Sequence, residues 1–290
     1  YALSGRSANE FYTYDEQPES CRYFWEDGLR FIAHSERRKF LSEVRDQFGV
    51  APGIVSNYLD HIQRIHRGSA SIFLEQSLHR AKTWFSKKTL LAMKDVFKYD
   101  LFKSMHEANV ERLEEPHLVQ LFDRFATYNG SNPYRAPGTL NVIPCMELGF
   151  GTYAPKLGMR SIADGLYNLA IELGIKFQFN TEVVEVQTSE KQITGVLTKE
   201  GHQYIAPIVI MNGDVNKFYQ NLQPQKDKQP SKTQTLEPSS SAVVFYWGVN
   251  KQFPDLGLHN IFFSQDYQGE FDTIDAGLGT HPDPTVYVNI

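Results

Sequence analysis

The stretch that decides the fold reads Leu121-Phe-Asp-Arg-Phe-Ala-Thr-Tyr-Asn-Gly-Ser-Asn-Pro-Tyr-Arg-Ala-Pro137 and resumes at Ile143-Pro-Cys-Met-Glu-Leu-Gly-Phe-Gly-Thr-Tyr-Ala-Pro-Lys-Leu-Gly-Met159. Leu118, Leu121, Phe122 and Phe125 keep helical spacing up to it. Asn129-Gly-Ser-Asn-Pro133 then ends that helix, because Gly and Asn accept positive φ and the residue before a proline is driven to extended backbone. The apolar segment 140–148 reads as helical and closes on Gly149-Phe-Gly151. Gly158 opens a further helix with apolar positions Ile162, Leu166, Leu169, Ala170 and Leu173, and Gly174 stands where a left-handed C′ residue belongs. After it, Phe177 and Phe179, then Val184 and Val186, alternate with polar residues as strands do. The chain before this stretch reads as helical and the chain after it as mostly β. The fold class expected is therefore α/β (α+β).

Toward the N-terminus, Arg22-Tyr-Phe-Trp-Glu-Asp-Gly-Leu-Arg-Phe31 reads as a hairpin turned at Asp27-Gly28. Ser35 is placed to cap a helix through Phe40, Leu41, Val44 and Phe48 that stops at Gly49. Pro52 suits the first turn of the next helix, with Val55, Leu59, Ile62 and Ile65 on one face. From 72 to 105 the pattern stays helical and turns basic. Leu90, Met93, Phe97 and Leu101 form a stripe flanked by Lys87, Lys88, Lys94, Lys98 and Lys103, with Trp84, Phe85 and Tyr99 nearby. Residues 61–103 hold nine Lys/Arg against three acids, in a chain whose net charge is −5. Such a helix lies in a membrane interface or presents an ordinary solvated basic face. No base-reading motif accompanies it, so nucleic acid is not expected as a partner.

Pro116-His117 starts the helix that leads into the decisive stretch. Beyond that stretch, strands are expected at about 176–187, 192–199 and 202–211, with a turn at Lys199-Glu-Gly201. Ile208-Val-Ile210 reads as a strand covered on both faces. Met211-Asn-Gly-Asp214 then leads to a helix at Val215, the strand–turn–helix arrangement at which α/β sheets bind ligands. Residues 223–241 read as a polar loop and 242–249 as a buried strand. Ile261-Phe-Phe263 reads as another strand, 267–274 as a short helix and 285–290 as a final strand.

The chain has 290 residues, 41% apolar and 13% aromatic, ample for a large core and about two domains by length. Its two cysteines make neither a disulfide framework nor a metal site, which points to a reducing compartment. No run reaches the length needed to span a bilayer and no signal peptide is visible. With Tyr1 in place of a starting Met, and Ile290 inside a strand-like run, the chain is expected to be part of a longer protein. Gly149-Phe-Gly-Thr-Tyr-Ala154 carries the letters of a dinucleotide loop, but such a loop follows a buried strand and opens a helix, and here Pro155 intervenes. Gly277-Leu-Gly279 is followed by no helix. The nine histidines show no metal spacing. Glu147 sits in an apolar helical segment and needs a partner if buried, with Arg124 and Arg135 as candidates.

The motifs Arg124-Phe-Ala-Thr-Tyr-Asn-Gly-Ser-Asn-Pro-Tyr-Arg-Ala-Pro137, Ile143-Pro144 with Glu147, Gly151-Thr-Tyr-Ala-Pro-Lys-Leu-Gly-Met159 and Thr181-Glu-Val-Val-Glu-Val186 resemble the carotenoid desaturases of the bacterial phytoene desaturase type, within the flavin amine oxidase-like flavoproteins. So do Val209-Ile-Met-Asn-Gly-Asp214, Ser239-Ser-Ser-Ala-Val-Val-Phe-Tyr-Trp-Gly248 and His259-Asn-Ile-Phe-Phe-Ser-Gln-Asp-Tyr267. The late segments look most like the 1-hydroxycarotenoid 3,4-desaturase branch. The resemblance implies an FAD-dependent oxidoreductase that desaturates a C30 or C40 carotenoid by hydride transfer to flavin. It implies the central fragment of a two-domain flavoprotein, peripheral on the cytoplasmic side of a membrane that it meets through the basic segment 80–105. Residues 1–34 and 139–290 would form the β-rich substrate domain with parts of the FAD domain, and 35–138 the helical, membrane-facing lobe.

By the same resemblance Val183, Asn212 and Asp214 would meet FAD, and Arg124, Tyr128, Asn132, Glu147 and Tyr153 the substrate. No catalytic acid or base is assigned. The family's strand–GxGxxG–helix and its C-terminal Gly-rich segment do not occur in this sequence. Lys156-Leu-Gly-Met159 stands where the family tends to have Lys-Gly-Gly-Met, and Asn212-Gly213-Asp214 replaces Asn-Ala-Asp. A non-catalytic carotenoid- or lipid-binding protein, a polyene isomerase and an amine oxidase are the alternatives on this scaffold.

Overall fold

The Asp27-Gly28 turn closes the hairpin as its sequence requires. In the computed structural model, which describes residues 1–73, 76–77, 80–86, 89, 99–190, 192–222 and 242–290, a short strand β1 (Tyr14–Glu16) precedes β2 (Glu19–Phe24) and β3 (Arg30–His34). Gly28 takes φ +92°, and the Asp27 carboxylate accepts the Leu29 N–H at 3.0 Å. Cys21, Tyr23 and Trp25 of one arm and Phe31 and Ala33 of the other are buried, the period of two that a half-covered sheet imposes.

By its contacts the chain forms two compact units, one of Tyr1 with Ala163–Pro238 and one of Ala2–Ile162 with Ser239–Ile290. In the larger unit, α1 (Arg37–Phe48) buries Phe40 and Val44 and ends at Gly49, φ +68°. Ser35 does not cap it. Its hydroxyl donates to the Gln17 carbonyl at 2.7 Å, and Glu36 holds the N-cap position without a side-chain bond. Helix α2 (Pro52–Phe73) starts on its proline and buries Val55, Tyr58, Leu59, Ile62 and Ile65. The short α3 (Ala81–Trp84) follows, with Trp84 and Phe85 exposed. Lys87, Lys88, Lys94 and Lys98 of the expected basic helix lie outside the described residues.

Helix α4 (Met105–Leu113) begins with a reciprocal cap: the Ser104 hydroxyl accepts the Glu107 N–H, and the Glu107 carboxylate accepts the Ser104 N–H. Helix α5 (Pro116–Asp123) has proline at N1, and Glu115 accepts the Leu118 N–H at 2.7 Å. It runs on as a 3-10 turn, Arg124–Asn129, which ends where Gly130 takes φ +62°. After a second 3-10 turn (Gly138–Asn141), α6 (Val142–Phe150) ends at Gly151, φ +85°, and strand β4 (Tyr153–Pro155) follows. The letters of the dinucleotide loop thus lie on a helix-to-strand corner, the reverse of the order that motif needs.

A buried polar chain joins these helices. The Tyr58 hydroxyl bridges Asn109 Oδ1 (2.8 Å) and Asn141 Oδ1 (3.1 Å), Asn109 Nδ2 donates to Asp123 at 2.8 Å, and His106 Nδ1 meets Asp123 at 2.6 Å. Nearby, Asp100 is held by His61 and Arg112, each at 2.8 Å. The Asp100 loop packs directly on Gly138. A Cβ at Gly138 would lie 2.7 Å from Asp100 Cβ, 2.9 Å from the Asp100 carbonyl oxygen and 3.2 Å from Ala108 Cβ. Gly138→Ala is therefore expected to destabilise by about 1–3 kcal/mol, the usual range for overpacking, read as a lowered urea midpoint. An unchanged midpoint would show that the close approach is not kept.

Helix α7 (Arg160–Glu172) is the helix that Gly158 was expected to open, and it runs from the larger unit into the smaller one. Gly174 closes it at φ +81°, with Gly174 N–H on Ile171 O and Ile175 N–H on Ala170 O, a left-handed C-terminal cap. Its apolar stripe is only partly covered: Leu169 is buried, while Leu166 and Leu173 are exposed. Strands β5 (Val183–Ser189), β6 (Gln192–Thr198) and β7 (Gln203–Ile205) form an antiparallel meander, with Gly201 in the last turn.

Two expected strand bounds are corrected here. The first strand starts at 183 and not 176, because Phe177 and Phe179 stack on each other and against Tyr167 instead of pairing their backbone. The third stops at 205 and not 211. Ile208 and Ile210 are 76% and 87% exposed and in no strand, so they are not covered on both faces. The Asp214 carboxylate then caps the short α8 (Val215–Lys217) by accepting the Lys217 N–H at 2.8 Å.

Residues 223–241 lie outside the described part. Back in the larger unit, 242–249 is another correction: it is neither a strand nor buried, with Tyr246 95% exposed, since no strand among the described residues pairs with it. Strand β8 (His259–Phe262), helix α9 (Tyr267–Asp275) and strand β9 (Val286–Asn289) form where the sequence places them. The sheet order is β3-β2-β8-β9, with β2 and β8 parallel and the outer pairs antiparallel, while β1 pairs separately with β4. Among the described residues no helix is long and apolar enough to cross a membrane.

Candidate functional site

The 3-10 turn after α5 brings Arg124 under the sheet, and α6 brings Glu147 to meet it. The Arg124 side chain is 8% exposed. One Nη donates to the Tyr23 hydroxyl at 2.7 Å, and the guanidinium lies 3.8 Å from Glu147 Oε2. Rings of Tyr23, Phe125 and Tyr128 surround it, with centroids 4.5–5.3 Å away. Desolvating a cation in this way is tolerable only with such partners. The Tyr128 hydroxyl donates to Glu147 Oε2 at 2.7 Å. Of the two arginines open to Glu147, Arg124 is thus the partner, and Arg135 pairs with Asp275 at 2.9 Å.

Arg124, Tyr128 and Glu147 form one wall of a cavity of about 970 Å³. Its other sides come from Ser20 and Cys21 of β2, His259 and Ile261 of β8, Tyr287 of β9 and one face of α9. His259 Nδ1 meets the Tyr287 hydroxyl at 2.6 Å, and Glu270 holds Thr285 through two bonds of 2.7 and 2.9 Å. Burial pushes the Cys21 thiol up to about 11 and holds His259 below its usual range. Burial, opposed by Arg124 and reinforced by Glu147, puts the Tyr128 phenol up to about 12. At neutral pH the cavity therefore presents a thiol, a phenol and a neutral imidazole beside the fixed Arg124 charge.

Arg124, Tyr128 and Glu147, named from the sequence, converge here. Asn132 and Tyr153 do not line the cavity. Asn132 donates to Asp275 at 2.8 Å and accepts the Tyr134 N–H, and Tyr153 packs edge-on to Tyr14 at 5.5 Å. Val183 opens β5 in the smaller unit, where Asn212 and Asp214 are exposed on the turn after β7. Sequence reasoning missed Thr152, His259, Tyr267 and Tyr287 as cavity residues. Thr152 sat inside the rejected glycine motif, and nothing in the spacing of the other three marked them.

The elements make a mixed α/β protein whose β3-β2-β8-β9 sheet and neighbouring helices wall a half-open, ligand-sized hollow with a buried cation in its lining. No protein-family model matches the chain. It is 41% identical over 279 residues to a 1-hydroxycarotenoid 3,4-desaturase from Flavobacterium sp. (strain P99-3), covering 96% of this chain and 57% of that protein. It is 27% identical to a 4,4'-diapolycopene oxygenase from Methylomonas sp, over 98% of this chain and 57% of that protein. It is 28% identical to a zeta-carotene-forming phytoene desaturase from Myxococcus xanthus, over 83% of this chain and 46% of that protein. A solved putrescine oxidase variant shares 14% identity at a TM-score of 0.47, over 78% of this chain and 47% of that one. Over the span it covers, the chain is similar in sequence to carotenoid desaturases and oxygenases. It spans about half the length of these relatives.

Proposed function

We propose that the protein of which this chain is part is an FAD-dependent desaturase that introduces C=C bonds into a carotenoid, and that the cavity around Arg124 receives the substrate. The observation that carries this reading is the cavity itself, polar at Arg124, Glu147 and Tyr128 and apolar at Ile261, Tyr267, Phe271 and Ile274, in a chain so similar to a 1-hydroxycarotenoid 3,4-desaturase. The apolar wall takes a hydrocarbon chain and excludes water from it, while the cation and its partners fix orientation.

The residues of the smaller unit fit a nucleotide cofactor in their donor set. Val183 opens an edge strand, and no strand among the described residues pairs with the outer side of its backbone. Asn212 presents an exposed amide. The Asp214 carboxylate is engaged in its helix cap and would act by holding that turn. Val183 and Asn212 would thus hold FAD directly, and bound FAD would supply the two-electron oxidant for desaturation. Asn132 and Tyr153 would shape the approach to the cavity. Residues 35–138 would form a helical lobe, with 80–105 lying against the cytoplasmic face of a membrane, where the exposed Trp84 and Phe85 stand beside Arg80 and Lys82.

The test is expression of the full-length protein in cells that make lycopene, neurosporene or their 1-hydroxy derivatives, followed by pigment analysis and membrane fractionation. A product with a longer conjugated system, and protein recovered with the membranes, is expected. Unchanged pigments would overturn the desaturase reading, and recovery wholly in the supernatant would overturn the membrane placement.

A further inference from the structure

The sequence holds two Asn-Gly pairs, Asn129-Gly130 and Asn212-Gly213, and the fold treats them differently. An asparagine followed by glycine can react with its own backbone. The amide nitrogen of the next residue attacks the carboxamide carbon, and glycine, with no Cβ, leaves that approach open and lets the chain turn into it. The attack needs an unengaged N–H on the glycine and a carboxamide able to rotate onto it.

Asn129-Gly130 meets neither condition. Gly130 closes the 3-10 turn at φ +62°, and its N–H donates to the Thr127 carbonyl at 2.9 Å. The Asn129 carboxamide donates to Ser131 Oγ at 3.2 Å. Asn212-Gly213 meets both. The two residues are exposed, between β7 and α8, in neither helix nor strand. Among the described residues no hydrogen bond holds the Asn212 carboxamide or the Gly213 N–H. Nor does the turn depend on glycine. Gly213 is not at positive φ, and a Cβ there would meet Met211 Cε at 2.5 Å, the movable end of a side chain.

We propose that Asn212 is a site of spontaneous deamidation that bound FAD shields. Gly213 N bonds to Asn212 Cγ, and its proton leaves with the carboxamide nitrogen as ammonia, so that a five-membered succinimide remains. Water then adds to one of the two ring carbonyl carbons and breaks its bond to the ring nitrogen, which takes a proton. The product is aspartate or isoaspartate. One water is consumed, one ammonia is released, and a negative charge appears two residues before Asp214. The shielding rests on the FAD reading above, in which the same amide meets the cofactor. A carboxylate in its place would oppose an anionic dinucleotide.

The experiment incubates the full-length protein at mildly alkaline pH, with FAD bound and after its removal, and follows both asparagines by peptide mass mapping. In the folded, FAD-free protein Asn212 is expected to convert at least about tenfold faster than Asn129, and Gly213→Ala to slow it about tenfold, because a Cβ hinders the attack. In urea, where no hydrogen bond protects Gly130, the two pairs are expected to convert at similar rates. Conversion of Asn212 no faster than that of Asn129 in the folded protein, or unmoved by Gly213→Ala, overturns the site. A difference that persists in urea overturns its structural cause. Bound FAD is expected to slow Asn212 severalfold and to leave Asn129 unchanged. Equal rates with and without FAD overturn the shielding and the contact of Asn212 with FAD, while the deamidation site stands.

Discussion

Replacing Arg124 by methionine is expected to destabilise the protein by about 3–5 kcal/mol, the cost of breaking a buried ion pair by removing one partner. Arg124 is 7% exposed, and its guanidinium lies among Tyr23, Phe125 and Tyr128. Methionine keeps much of the apolar stem. It removes the donor to Tyr23 and leaves Glu147 with the Tyr128 hydroxyl as its named hydrogen-bond partner. Much of the loss comes from that uncompensated carboxylate, so the double variant Arg124→Met/Glu147→Leu should recover a large part of it, because a buried pair replaced by apolar groups is often nearly neutral. Urea unfolding of the full-length protein, followed by the fluorescence of buried Trp25, measures both. A single variant costing less than about 1 kcal/mol, or a double variant no better than the single, would refute a paired, desolvated Arg124.

The contrast between Glu147 and Thr152 shows what a sequence discloses about such a site. Glu147 was legible because a carboxylate in an apolar helix demands a partner, and only a few cations lay within reach. Thr152 is an ordinary polar residue in a turn, and its place in the cavity lining depends on how β2, β8 and α9 come together after folding. The elements follow the same division. Helices α1, α2 and α5 were read from local chemistry: Gly49 at positive φ, Pro52 and Pro116 in first turns, and apolar faces at helical spacing. Helix α4 has no counterpart among the sequence expectations, although Ser104-Met-His-Glu107 spells its cap, because the basic pattern before it keeps helical spacing up to 105 and masks the new start. The runs at 208–210 and 242–249 were read as buried strands from composition. A strand exists only when another strand takes up its backbone groups, and that pairing is long-range information that a short apolar run does not carry. The parallel β2–β8 pair, which joins residues more than two hundred positions apart, had no signature at all.

The same long-range character makes Asp123 the second position where a large effect is expected. Asp123→Ala should cost about 3 kcal/mol, because it strands two buried or half-buried donors at once. Asp123 is 1% exposed and accepts from His106 at 2.6 Å and from Asn109 at 2.8 Å, and Asn109 in turn receives the Tyr58 hydroxyl. Losing it unties α2, α4 and α5 together. The pair also gives the effect a pH signature. The hydrogen bond to Asp123 raises His106 above its ordinary 6.5, with burial working against it. Burial raises Asp123 above its ordinary value, with His106 and Asn109 pulling it back down. Both shifts mean that the folded pair binds its protons more tightly than the unfolded chain does. The contribution from His106 is therefore complete below its unfolded value and is lost as pH rises through the raised folded value. The difference in stability between the natural protein and Asp123→Ala should accordingly be largest at mildly acidic pH and shrink from about pH 6.5 upward. Urea titrations of both proteins across that range test it directly. A difference that stays flat or grows with pH would mean that His106 and Asp123 share no tightly held proton, and a cost below about 1 kcal/mol would mean that the polar chain does not tie the helices.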